Sequence, residues 1–324
     1  MEQRLTLPHH HQHRAHDKLR RELGPELCGW LADPDVIEAL TTGNGEVWLD
    51  RLSIGKARTE LVLPEAQREL IIGTVAAWHG LVVNQDYPLL KAELPLDGGR
   101  FQGMVRPVST PAFVIRRPFH RIIPLDQYVA EGSMTAQQAQ SLRAAIIKRE
   151  KMLLAGPTLS GKTVLANSLV AEVLRTHGVG LRTVLIEDTY EMTAPPGATN
   201  FEHLHTCDQA DLRTLIHTTM RLSPEFIIVG EVRGPEAWEL LNVWSTGHGT
   251  SVSTIHADTP AGALHRLGML VRQAGVEPDQ ELIGSTVNLI ATMERVGANQ
   301  WRVRELVRCH GWDGQRYILT PAAE

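Results

Sequence analysis

Cysteine is scarce. Cys28, Cys207 and Cys309 are the only three in a chain of 324 residues, and they lie far apart. An odd, dispersed set without a Cys-x-x-Cys pair excludes a disulfide framework and fits a reducing cytosol. Long apolar runs are lacking too. No segment reaches the ~18 consecutive apolar residues that a membrane-spanning helix needs. The nearest, Leu70 to Val83, is shorter and holds His79. Arg4 is followed by polar residues rather than an apolar stretch, which argues against a secretory signal. The expectation is a soluble, cytoplasmic protein that meets a membrane only through a partner. A basic excess is also missing. The net charge of −5 gives no global field for nucleic acid, so no sequence-specific nucleic-acid binding is expected. Neither internal repeats nor low-complexity linkers occur. Apolar residues at 43% and charged residues at 21% describe an ordinary globular chain.

What is present is a phosphate-binding loop. Gly156, Pro157, Thr158, Leu159, Ser160, Gly161, Lys162 and Thr163 match G-x-x-x-x-G-K-[ST] in full. The apolar run Met152 to Ala155 predicts a buried strand before it, and Val164 to Leu174 predict a helix after it. In that context loop N–H groups and the positive end of the helix dipole face phosphates. Lys162 can reach the β- and γ-phosphates of a nucleotide, and the Thr163 hydroxyl can hold Mg²⁺.

The length suggests two domains. Residues 17–117 are expected to form an α+β unit. It has helices at Asp17–Trp30 (interrupted by Gly24-Pro25), Asp33–Leu40 and Ala66–His79, and strands at Glu46–Leu52, Arg100–Val108 and Pro111–Ile115. A linker is expected over 118–126. From 127 on, short apolar strands at Arg182–Ile186, Phe226–Val229 and Ser251–Ile255 alternate with helices. That pattern implies an α/β domain with a mostly parallel, doubly wound sheet. Helices at Pro260–Gln273 and Glu281–Arg295 and two final strand-like runs complete it.

Three polar clusters stand at predicted strand ends. Glu187 and Asp188 follow Val184-Leu185-Ile186, Glu231 follows the run from Phe226, and His256 follows Ser253-Thr254-Ile255. Strand ends open onto the ligand crevice of a parallel sheet. Glu231 suits orientation or deprotonation of an attacking water, and His256 suits a transition-state or sensing contact. Arg213, Arg221 and Arg233 are candidate stabilisers of the γ-phosphate. Glu202-His203-Leu204-His205-Thr206-Cys207 resembles half of a zinc site, but no second Cys/His pair lies nearby, so it is read as a strand bearing polar residues. His9, His10, His11, His13 and His16 offer metal ligands and are read as a mobile tail over 1–16.

Four motifs in order resemble the secretion ATPase superfamily that drives type II and type IV secretion, conjugation and type IV pili. They are Gly156–Thr163, Ile186-Glu187-Asp188-Thr189, the stretch Ser223–Arg233, and Thr246-Gly247-His248 with Thr254-Ile255-His256-Ala257. Asp33-Pro34, Phe113-Val114-Ile115-Arg116, Leu125-Asp126-Gln127-Tyr128-Val129 and Gly230–Ala237 most resemble the conjugal-transfer branch. The resemblance implies a RecA-like motor domain preceded by a smaller PAS-like N-terminal domain. It implies Mg²⁺-dependent ATP hydrolysis by a homo-hexamer, peripherally associated with inner-membrane components of a type IV secretion apparatus. By motif position Glu187, Asp188 and Glu231 order water and metal, His256 senses the nucleotide state, and Arg106, Arg116 and Arg117 close over the nucleotide. Three departures stand out. Leu159 replaces a frequent glycine, Ser223 a frequent arginine, and Glu225 the usual Asp. A type IV pilus or type II secretion motor is the neighbouring alternative, although the tetracysteine element of the type II motors is missing. A DNA-stimulated translocase and a non-hydrolysing scaffold are the readings from other classes.

Overall fold

The computed structural model describes residues 9–96, 98–117, 121–207, 209–247, 249–297 and 300–322, with side chains from residue 16 onward. The chain divides into two compact units, Met1–Phe119 and His120–Glu324. The boundary falls within the stretch expected as a linker, whose residues 118–120 lie outside those described. No helix among the described residues is long and apolar enough to cross a membrane.

The first unit is a six-stranded antiparallel sheet with two helices against it. Its elements are α1 (His9–Ala32), β1 (Val36–Thr41), β2 (Glu46–Arg51), β3 (Gly55–Val62), α2 (Glu65–Trp78), β4 (Leu89–Glu93), β5 (Arg100–Met104) and β6 (Ala112–Arg116), in sheet order β3-β2-β1-β6-β5-β4. Leu19, Leu23 and Leu27 of α1 and Ile71, Ile72 and Val75 of α2 share one core with Val47, Leu49, Phe101, Phe113 and Ile115 of the sheet. That heptad-like spacing on the helices and period-two spacing on the strands define the buried faces. The helix α1 begins at His9, inside the stretch read as a tail, and kinks at Gly24, which has a positive φ, before Pro25.

The expected helix at Asp33–Leu40 is instead a turn and a strand. Asp33 accepts from the Asp35 N–H and pairs with Arg51, fixing a turn, and β1 then pairs with β2 and β6. Adjacent β-branched Val36 and Ile37 suit that strand. Strands β3 and β4 escaped the sequence pattern because each is half exposed and rich in charge.

The second unit holds an eight-stranded sheet of order β14-β13-β12-β7-β11-β10-β8-β9. The strands β7 (Lys151–Ala155), β8 (Thr183–Glu187), β9 (Phe201–His205), β10 (Phe226–Val232), β11 (Ser251–Ile255) and β12 (Leu289–Gly297) run parallel. The strands β13 (Gln300–Trp312) and β14 (Tyr317–Pro321) extend the sheet antiparallel. Met152 and Leu154 of β7 face a core with α3 (Leu125–Ala130), α4 (Ala136–Ile147) and α5 (Lys162–His177). Leu153 and Ala155 face the opposite core with α6 (Leu212–Thr219), α7 (Ala237–Ser245), α8 (Pro260–Gln273) and α9 (Gln280–Thr286). Burial on both faces explains why these strands read as continuous apolar runs. Thr135 and Gln138 form a reciprocal capping box at the start of α4.

The helix expected over Glu281–Arg295 is α9 followed by β12. Asn288 marks the switch, its side chain accepting from the Lys151 N–H and its carbonyl from the Cys309 N–H. A short apolar run such as Leu289–Met293 does not distinguish buried helix from buried strand by periodicity.

Helix α9 packs closely on β13. A Cβ on Gly284 would stand 2.8 Å from the Gly311 carbonyl carbon, whereas one on Gly268 of α8 would meet only ordinary contacts at 3.5 Å or more. Gly284→Ala is expected to destabilise the protein by about 1–3 kcal/mol. Gly268→Ala is expected to be neutral or to stabilise it by up to about 1 kcal/mol. Urea unfolding of both variants beside the parent checks the pair, and equal midpoints would refute the close approach.

Candidate nucleotide site

The loop at the C-terminal end of β7 has little room and unusual backbone angles. A Cβ on Gly156 would lie 2.4 Å from the Met293 carbonyl oxygen, and one on Gly161 would press on the Trp301 ring at 3.2 Å. Gly161 takes φ +88° at the start of α5, a conformation glycine adopts at low cost. Leu159 sits at φ +63°, so this side chain does adopt the left-handed backbone that the loop needs. Its carbonyl accepts from the Trp301 indole N–H at 2.9 Å, which ties the strained residue to β13. Trp301 was invisible to sequence reasoning, because nothing local links it to a loop 142 residues away.

Lys162 is buried, and its Nζ donates to the Gly156 and Pro157 carbonyls, at 2.8 Å each. Burial pushes its pKa down to about 8. The Thr163 hydroxyl donates to Glu191 at 3.3 Å. Glu191 was also missed, although a third carboxylate four residues after Glu187 was the available signal. Ser160 is buried with its Oγ unpartnered. Glycines without room for a Cβ, a buried lysine, an orphaned serine hydroxyl and a threonine beside a carboxylate fit a nucleotide phosphate with Mg²⁺.

Strand β10 carries Glu231 to this loop. One carboxylate oxygen takes Arg233 Nη2 at 2.6 Å, and the other stands 2.7 Å from His256 Nε2. Burial pushes the carboxyl up, but Arg233, His256 and Lys162 outweigh it and hold the pKa below the ordinary range. Arg233 reaches on to Asp188 at 3.1 Å, so one guanidinium joins both acidic motifs. His256 Nδ1 lies 3.2 Å from the Gly156 carbonyl. The Glu231 charge and the Gly156 carbonyl favour imidazolium, but burial and Lys162 outweigh them and hold the pKa down. Those opposed demands leave the proton responsive to either neighbour.

Glu187 is deeply buried, and its pKa is raised by burial despite a hydrogen bond from His203. It lies under Gly230, whose Cβ, if present, would touch the Glu187 Cβ at 2.9 Å. Arg213 is committed elsewhere, to Glu239 across α6 and α7. Arg221 is exposed in the turn after α6, and no hydrogen bond or ion pair joins it to the cluster. Arg106, Arg116 and Arg117 are held inside the first unit by Glu65, Glu38 and the carbonyls of Asp33 and Val36. His248 lies outside the described residues. Cys207, exposed and bridged to Ala210, takes no part in the His203–His205 cluster.

Comparison with known proteins identifies the family. The family model described as "Type II/IV secretion system protein" matches residues 62–308. The conjugal transfer protein TrbB of Rhizobium radiobacter is 42% identical over 301 residues, covering 93% of this chain and 92% of that one. The type IV secretion system protein VirB11 of Brucella suis is 29% identical, covering 76% of each chain. Among solved structures, the ATPase DotB of Yersinia pseudotuberculosis superimposes with a TM-score of 0.62 at 14% identity, covering 87% of this chain and 78% of that one, which shows a shared fold. With the family model matched over residues 62–308 and a relative 42% identical over 93% of its length, the chain belongs to the type II/IV secretion system protein family.

Proposed function

We propose that the protein is a Mg²⁺-dependent, hexameric ATPase that energises a conjugative type IV secretion system from the cytoplasmic face of the inner membrane. The observation that carries this reading is the convergence of Lys162, from the start of α5, and His256, from the end of β11, on the Gly156 carbonyl, with Glu231 of β10 beside His256. Likeness to TrbB and VirB11 over most of the chain supports the transport role. In this reading the second unit is the RecA-like motor, and the six-stranded unit is its PAS-like companion.

Bound MgATP supplies the scissile phosphoanhydride and a cation that neutralises charge on the phosphate oxygens. The loop N–H groups over Gly156–Thr163, Pro157 excepted, and the dipole of α5 would hold the phosphates, with Lys162 against the terminal ones. Thr163, with Glu191 beside it, would hold the cation. Glu231, kept ionised by its neighbours, orients the attacking water and accepts its proton. Asp188 acts through Arg233, which positions Glu231, and Glu187 backs that strand end. Charge on Lys162 lowers the His256 pKa. Phosphate that neutralises Lys162 therefore raises it, and His256 reports the nucleotide by taking up a proton. Arg221 is exposed, which leaves it available for a role across a subunit boundary.

Lys162→Ala and Glu231→Gln are each expected to lower steady-state turnover by about 10² or more, while light scattering still finds a hexamer. Turnover unchanged in Glu231→Gln would sink its role as base. Lys162 is charged below its pKa of about 8 and neutral above it. Affinity of the free protein for a fluorescent ATP analogue should therefore fall as pH rises from 7.5 to 9.5, and a flat profile would contradict the buried ammonium. Trp301→Phe removes one hydrogen bond to the loop and should weaken nucleotide binding about fivefold (about 1 kcal/mol), measured by the same titration.

A further inference from the structure

The strand β9 lies at the sheet edge, parallel to β8, in a register that sets Glu187 beside His205 and Leu185 beside His203. Period-two alternation then turns Glu187, His203 and His205 to one face. Their donor atoms gather tightly. His203 Nε2 is 2.8 Å from Glu187 Oε1, His205 Nε2 is 2.9 Å from His203 Nε2, and His205 Nε2 is 3.7 Å from the same carboxylate oxygen. We propose that Glu187, His203 and His205 bind one divalent cation of the zinc class, through two imidazole nitrogens and one carboxylate oxygen.

Hydrogen bonding alone serves this triangle poorly. An imidazole nitrogen carries in the ring plane either one hydrogen or one lone pair. The single hydrogen on His203 Nε2 can at best be shared between the Glu187 carboxylate and a lone pair on His205 Nε2, 2.9 Å away. A cation instead lets three lone pairs point at one centre. A tetrahedral zinc with bonds of about 2.0–2.1 Å spaces its donors about 3.3 Å apart, and the three measured edges bracket that value.

The surroundings suit a ligand set. The Glu191 and Met192 N–H groups donate to Glu187 and fix its carboxylate, as outer-shell partners do at metal sites. Tyr190 stacks on the His205 ring at 25° and sets its plane. Two nitrogen donors select against the all-oxygen preference of Mg²⁺ and separate this site from the nucleotide's own cation. The sequence offered His203 and His205 with Cys207, and the fold replaces that cysteine by Glu187, carried in from β8. A cation here engages a carboxylate of the acidic motif, so its occupancy bears directly on Glu187.

The test uses the full chain with His9, His10, His11 and His13 changed to Gln, freed of metal by chelation and titrated with Co²⁺. The expected result is one Co²⁺ per chain with the visible absorption of a tetrahedral site, bleached by Zn²⁺, and affinity lowered at least about tenfold in both His203→Gln and His205→Gln. Affinity unchanged in both variants, or no tetrahedral spectrum, overturns the proposal. Diethylpyrocarbonate labelling of the unsubstituted chain, read by mass spectrometry, needs no variant. Zn²⁺ should protect His203 and His205, and equal labelling with and without Zn²⁺ overturns the site independently.

Discussion

A largely buried carboxylate set among Arg233, His256 and Lys162 organises the second unit around its loop. Glu231 is taken out of water at the end of β10, and that cost is offset by Arg233, His256 and Lys162. Each of these comes from a different place: the turn after β10, the end of β11 and the start of α5. The ion cluster therefore ties the ends of β10 and β11 to the start of α5. Removing one partner would leave an uncompensated charge, which in such settings is far more disruptive than the pair is stabilising. Arg233 carries the same constraint to Asp188, so both acidic motifs are tied to one guanidinium.

Much of this was legible from residue order. The loop, its flanking strand and helix, and the polar ends of β8, β10 and β11 announce themselves, because each motif is local and its apolar run is short and bounded. The long-range supports were not legible. Trp301 under Leu159, and Met293 against Gly156, depend on β12 and β13 returning beside β7. Leu289–Met293 could be read as helix or strand, and the choice is made only by the empty place next to β7 in the sheet. In the first unit, Asp33-Pro34 looked like a helix start, whereas Asp33 spends its carboxylate on a turn and on Arg51.

The two halves of the chain differ in how their pattern was set. The antiparallel sheet of the first unit presents one buried face to its helices, so its edge strands β3 and β4 carry too much charge to be conspicuous. The parallel sheet of the second unit is covered on both sides, and its strands stand out for that reason.

The position of β7 also bears on how the protein emerges during synthesis. Both hydrogen-bonding neighbours of β7, β11 and β12, are made after it, by about a hundred residues or more. Until they arrive, Met152–Ala155 is an unpaired apolar strand, the kind of exposed edge that invites association with other chains. The loop that follows it stays unsupported until Trp301, 142 residues beyond Leu159, has left the ribosome. The motif is therefore made long before the scaffold that gives it shape, and a chain released between the two carries the first without the second.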